Sequence, residues 1–179
     1  GFLMPSCCVI IPAYQAQATI GFLVREVLSL GLPVIVVNDA SLDATEREAH
    51  LAGARVLSRA RNGGKGAALR EGLNAALQEG YEWVLTMDAD GQHLPNEIHR
   101  FLEEAAKGEA DLVLGNRMER PHGMPLNRRL TNDYMSRLLS HIAGQPIPDS
   151  QCGFRLISRA VLEKVDLQSS RFEIESELV

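Results

Sequence analysis

Along residues 7–115, short apolar runs rich in β-branched residues alternate with segments of helical period, and few folds accept that alternation. Cys7–Pro12 reads CCVIIP and Pro33–Asn38 reads PVIVVN. Further strands are expected at Ala54–Ser58, Tyr81–Met87 and Asp111–Leu114. Between the first two runs, Ile20, Leu23, Val24, Val27 and Leu28 recur at i, i+3, i+4, i+7 and i+8, which puts them on one helix face, and Gly31 ends that helix. Asp43 and Glu46 predict a capping box for a second helix that ends near Gly53. Ala67–Gln78 is a third helix stopped at Gly80, and Pro95 opens a fourth that carries Ile98, Phe101, Leu102 and Ala105. Strands that are apolar on both faces need cover on both faces. The expected class is therefore α/β: a Rossmann-like, mostly parallel central sheet, helices on both faces, right-handed crossovers.

The pattern changes after Gly115. A polar loop holds Arg117, Arg120 and His122. A longer helix is expected over 126–142, with Leu126, Leu130, Tyr134, Leu138, Leu139 and Ile142 on one side and Arg128, Arg129 and Arg137 elsewhere. Pro146 and Pro148 end it, and Gly153–Ser158 forms a further strand. No repeat or composition shift divides the 179 residues, so one domain is expected. Its 45% hydrophobic and 23% charged residues support a core and exclude disordered and fibrous classes. A net charge of -5 gives no support to nucleic-acid binding. Cys7, Cys8 and Cys152 have no zinc spacing and read as buried free thiols in a reducing compartment. No apolar run approaches a membrane span, and Gly1–Pro5 lacks the basic start of a signal peptide, so a cytoplasmic location is expected. The helix-like pattern still running at Val179 predicts that the natural protein continues.

Open parallel sheets bind ligands outside the carboxyl ends of their strands, so the residues after each strand carry the chemistry. They are Pro12 and Tyr14, then Asn38, Asp39 and Ser41, then Arg61–Lys65, then Asp88, Asp90, Gln92 and His93, then Asn116 and Arg117. In Asp88-Ala89-Asp90 an extended backbone points both carboxylates the same way. A hard divalent cation relieves their repulsion and takes phosphate oxygens in its other positions, with Gln92 as an added ligand. Asp90-Gly91 also reads as a plain turn. Asp39 can accept an N–H from a nucleobase or cap a helix with Ser41 and Asp43, and Tyr14 can stack on the base or merely sit at a rim. Asn62–Gly66 fails the P-loop pattern, because Gly66 follows Lys65, yet a glycine-rich helix start with a lysine still favours an anion. Arg117 and Arg128 can contact phosphate. No Ser/His/Asp or Cys/His order suggests covalent catalysis.

The segments VIIPAYQAQATI, VIVVNDASLDAT, RNGGKGAALREG, TMDADGQH, GNRM, PLNRRLTN, DSQCGFRLISR and FEIESELV follow one another in order over essentially the whole chain. In them the chain resembles the family 2 glycosyltransferases of GT-A fold, most closely the dolichyl- or polyprenyl-phosphate sugar synthase branch. The resemblance implies a nucleotide-binding half over 1–115 and an acceptor-side half over 116–179. It implies Pro12, Tyr14 and Asp39 at the nucleobase, Lys65 near the nucleotide, and Asp88, Asp90 and Gln92 around Mg²⁺ or Mn²⁺ and the diphosphate. It places Arg117 and Arg128 at the acceptor phosphate or leaving diphosphate, and Asp149 near the acceptor entry. The implied donor is a UDP- or GDP-linked sugar, the implied acceptor a polyprenyl phosphate, and the implied mechanism a metal-assisted single displacement with inversion. Asp149 is the candidate base should the acceptor be a hydroxyl. A lipid acceptor also implies peripheral membrane contact through the arginines of the 126–142 helix. The family's Asn-Glu after the tyrosine is Gln15-Ala16 here, its first loop aspartate is Asn38, and its loop glycine is Ala40.

Three other readings compete. A sugar nucleotidyltransferase needs a glycine-rich basic loop after the first strand, where this chain has Pro12-Ala13-Tyr14. A receiver-like domain needs a lysine after the fifth strand, where Asn116 and Arg117 stand. A non-catalytic nucleotide-sugar sensor remains compatible with Gln15-Ala16.

Overall fold

The computed structural model describes residues 6–91, 97–108, 112–114 and 155–163. The strands are β1 (Cys7–Ala13), β2 (Val34–Asn38), β3 (Arg55–Ser58), β4 (Trp83–Thr86), β5 (Leu112–Leu114) and β6 (Arg155–Ser158). The helices are α1 (Ile20–Ser29), α2 (Thr45–Ala52), α3 (Lys65–Gln78), α4 (Ile98–Ala106) and the short α5 (Arg159–Glu163). The expected helix over 126–142 and Cys152 lie outside the described residues.

The strands form one sheet in the order β3-β2-β1-β4-β6-β5. β1 pairs in parallel with β2 and β4, and β2 with β3. β6 runs antiparallel between β4 and β5, with Arg155 beside both Thr86 and Leu114. Local pattern does not encode this reversal, because Arg155–Ser158 alternates no differently for either direction.

β1 is buried along its whole length, which is why it carries no polar side chain. Val9 and Ile11 pack in a cluster with Ile20, Leu23, Val24 and Val27 of α1 and Ile98, Phe101 and Leu102 of α4. Cys8 and Ile10, on the opposite face, pack with Leu69 and Leu73 of α3 and Val161 and Leu162 of α5. Burial of each such large apolar side chain contributes about 1.5–3 kcal/mol, so both faces of the central strand stabilise the sheet. α3 lies close enough to β1 that Gly72 has no room for a side chain. A Cβ there would sit 2.6 Å from Ile10 Cγ2 and 3.1 Å from Val37 Cγ2.

Some local expectations shift. α3 begins at Lys65 rather than Ala67, immediately after Gly64 at φ 87°. The capping box at α2 does not form: Asp43 Oδ1 accepts from the Thr45 N–H at 3.0 Å rather than from the residue three on, and Glu46 faces His50 instead. Cys7 and Cys8 are buried free thiols, and burial pushes each up to about 12. Among the described residues, no helix is long and apolar enough to cross a membrane.

Candidate active site

Parallel register sets the strand ends level. Ala13 lies beside Asn38, Asn38 beside Ser58, and Ile10 beside Thr86. The loops that leave these strands therefore emerge along one edge, and they enclose a cleft of about 490 Å³. Pro12, Tyr14, Asp39, Lys65, Asp88 and Asp90 all line it. Six of the predicted positions, from four separate segments, are thus brought to one place. Gln92, His93, Arg117, Arg128 and Asp149 lie outside the described residues.

The first wall is stitched from the loops after β1 and β2. Gln15 donates its N–H to Ser41 Oγ at 3.0 Å, and its Oε1 accepts the N–H groups of Leu42 at 2.7 Å and Asp43 at 3.2 Å. Gln17 repeats the device: its N–H reaches Asp43 Oδ2 at 3.2 Å, and its Oε1 accepts from the Ala44 N–H at 3.1 Å. Thr45, fully buried, accepts the Ala16 N–H at 2.8 Å through Oγ1. Two loops that would otherwise move independently become one rigid wall. Asp43 sits at the centre of this web. Burial pushes its carboxyl up, but hydrogen bonds from the Thr45 hydroxyl and N–H and from the Gln17 N–H outweigh that and hold it below the usual carboxylate value. Gln15 and Gln17 were not among the predicted site residues. Their signal was available, since two amides at alternate positions directly after a buried strand suit loop bonding.

Asp39 forms the floor between β2 and the loop after β3. Its side chain is only 4% exposed. Oδ1 accepts the Gly63 N–H at 3.0 Å and Arg59 Nη1 at 3.3 Å, and Oδ2 accepts the Gly64 N–H at 2.8 Å. Arg59 also reaches Glu71 at 3.2 Å. The carboxylate therefore holds the glycine loop that launches α3, a task the sequence reading did not give it. The first residue of α3, Lys65, then pairs with Asp88 Oδ1 across the cleft. Thr19 Oγ1 bonds the Ala89 carbonyl, which ties the loop after β4 to the loop after β1. Tyr14 stands at the rim of the cleft, 52% exposed.

The cleft accordingly has a carboxylate pair on the β4 side, a lysine on the α3 helix start, and a nearly saturated carboxylate on the β2 side. Among the described residues, no group of three or more His, Cys, Asp or Glu could hold a metal ion. Two carboxylates two positions apart nevertheless suit a hard cation that completes its shell with water and phosphate oxygens. The profile of Glycosyl transferase family 2 matches residues 8–166. The chain belongs to glycosyl transferase family 2.

Relatives and solved structures agree with this glycosyltransferase assignment. An uncharacterized protein of Methanocaldococcus jannaschii is 31% identical over 177 residues, covering 96% of this chain and 73% of its own length. The polyprenol monophosphomannose synthase of Mycolicibacterium smegmatis is 36% identical over 173 residues, covering 90% of this chain and 64% of its own. The crystal structure of glucosyl-3-phosphoglycerate synthase from Mycobacterium tuberculosis, in complex with Mn²⁺, UDP and phosphoglyceric acid, superposes with a TM-score of 0.61 at 26% identity. That match covers 87% of this chain and 56% of the synthase, so this chain spans little more than half of that molecule. The fold is the GT-A arrangement, a mostly parallel sheet with helices on both faces.

Proposed function

We propose that this family 2 chain transfers a sugar from a nucleotide-diphosphate donor to a polyprenyl phosphate, with inversion at the anomeric carbon. The observation that carries the reading is the convergence of Tyr14, Asp39, Lys65, Asp88 and Asp90 on one cleft at the carboxyl edge of the sheet. Tyr14 and Asp39 receive the base, and Asp88 and Asp90 face the diphosphate. When bound, Mg²⁺ or Mn²⁺ held by Asp88 and Asp90 supplies positive charge against the leaving diphosphate. Lys65, already on Asp88, adds a second cation at the same end. The phosphate acceptor is anionic near neutral pH and needs little help from a base. In the same reading Arg117 and Arg128 take the acceptor phosphate or leaving diphosphate, Gln92 joins the metal shell, and Asp149 lies on the acceptor side. The name of the mycobacterial relative supports a polyprenyl acceptor. A bilayer-borne acceptor brings the protein to the membrane surface peripherally, which flotation with anionic vesicles tests.

The deciding experiment is transfer of labelled sugar from UDP- and GDP-linked donors to a short polyprenyl phosphate, with Mn²⁺ or with EDTA. Transfer is expected to vanish with EDTA and to fall by about 100-fold or more in Asp88→Asn and Asp90→Asn, the size expected when several kcal/mol of charge stabilisation is lost. Metal-independent transfer, or full activity in both variants, refutes the reading. Nucleotide binding without transfer to any acceptor instead favours a non-catalytic sensor, the reading left open by Ala16 in place of a carboxylate.

A further inference from the structure

Resting on the nucleotide-sugar reading above, we infer that Lys65 bars the cleft to a divalent cation arriving without a nucleotide, and so selects the metal–nucleotide chelate as the ligand. The Lys65 ammonium sits on Asp88 Oδ1, and both residues line the cleft. The pair is largely shielded, with 29% of the lysine and 19% of the aspartate side chain exposed. Salt and water screen such a pair less than one on the open surface, so it is held more firmly. The base of the lysine is fixed as well. Lys65 is the first residue of α3, and the N–H groups of Gly63 and Gly64 just before it are bound to Asp39. The flexible four-carbon stem is the part of Lys65 that can move.

A divalent cation and the ammonium compete for one carboxylate. At Oδ1 they exclude each other. At Oδ2 the cation would lie within about 6 Å of the ammonium, where screening is weak and like charges repel. Among the described residues no group of three or more His, Cys, Asp or Glu is placed to hold a cation, so none offsets that repulsion. A nucleoside diphosphate changes the balance. Its oxygens accept the ammonium, release Oδ1, fill open positions on a hard cation and carry the negative charge that both cations need. Cation and diphosphate therefore enter together, and by linkage each strengthens the binding of the other by the same factor.

The test uses Mn²⁺ alone, with the free ion counted by electron paramagnetic resonance, and then calorimetric titration of UDP and GDP in excess Mn²⁺. Lys65→Met is expected to bind Mn²⁺ alone about tenfold or more tightly than the parent, and to bind the preferred nucleotide about tenfold more weakly. A lysine that served only to start α3 would not move the two affinities in opposite directions. Lys65→Gln gives the same readout should Lys65→Met fail to fold. Lys65→Arg keeps the ion pair and is expected to exclude Mn²⁺ as the parent does. Adding Asp88→Asn to Lys65→Met is expected to abolish the gain. Arg61→Met removes the same charge from an exposed residue that does not line the cleft, and is expected to change Mn²⁺ affinity by less than about twofold. Neutral variants of Lys65 that bind Mn²⁺ no more tightly than the parent, or an equal gain in Arg61→Met, overturn the inference. Mn²⁺-dependent nucleotide binding by the parent leaves the transferase reading standing in either case. A parent that binds neither nucleotide with Mn²⁺ overturns that reading and the inference with it.

Discussion

Gly72→Ala places a methyl group where α3 meets the sheet, and the packing there gives the expected cost. The new Cβ lies 2.6 Å from Ile10 Cγ2 and 3.1 Å from Val37 Cγ2. Carbon atoms rest at about 3.5–4.0 Å, so the closer contact overlaps by roughly 1 Å. Ile10 and Val37 are fully buried, and each methyl branches directly from a Cβ with little rotamer freedom. Relief must come from lifting the helix, and overpacking of this kind costs about 1–3 kcal/mol. Alanine returns about 1 kcal/mol of helix propensity. With hard neighbours on two strands, we expect a net loss of about 1–2 kcal/mol. Gly21→Ala is the matched control in α1: its Cβ would meet the far end of Arg25 at 3.2 Å, which can swing away. That substitution is expected to stabilise by about 0.5–1 kcal/mol. Urea unfolding reads both as midpoint shifts of opposite sign, roughly 0.5–1 M downward for Gly72→Ala at a slope near 2 kcal/mol/M. Because Lys65 lies about two turns earlier on the same helix, lifting α3 should also weaken nucleotide binding. A Gly72→Ala protein as stable as the parent, alongside a stabilised Gly21→Ala, refutes the close-approach reasoning.

Further expectations concern the cleft wall and the core. The lowered carboxyl of Asp43 contributes stability that is present above the ordinary carboxylate value and lost as pH falls through its own lower value; Asp43→Asn should therefore flatten the acid limb of a stability-versus-pH curve, and an unchanged limb counts against the Thr45 and Gln17 web. Ala40 stands at φ 59°, a left-handed backbone that costs a residue with a Cβ, so Ala40→Gly should raise stability by about 1 kcal/mol in the same urea assay. Cys7 and Cys8, pushed up to about 12 by burial, should escape iodoacetamide at pH 8 in the native state and react fully in denaturant, as peptide mass mapping of the two sites would show.

The alternation of strands and helices was legible because both faces of β1 and β2 must be covered, and such runs leave a clear apolar signature. The edge that carries the site followed from the parallel order alone. What stayed hidden were partnerships between distant residues. Nothing local to Asp39 says that its carboxylate is spent on Gly63 and Gly64, or that Lys65 reaches Asp88 rather than solvent. Gln15 read as a departure from the family pattern, whereas in the fold it bonds three residues of the next loop. The reversal of β6 was equally invisible, since strand direction depends on what the chain does between strands and not on the strand itself.

That reversal bears on how such proteins diversify. β5 ends at Leu114 and β6 begins at Arg155, and these two residues are neighbours across the sheet. The chain thus leaves β5 and enters β6 at the same edge of the sheet, beside the end of β4. Any change of length between Leu114 and Arg155 that keeps those two residues paired leaves every described rung of the β-ladder in register. Sequence change between those two residues can therefore accumulate while the strands whose ends line the cleft keep their pairing.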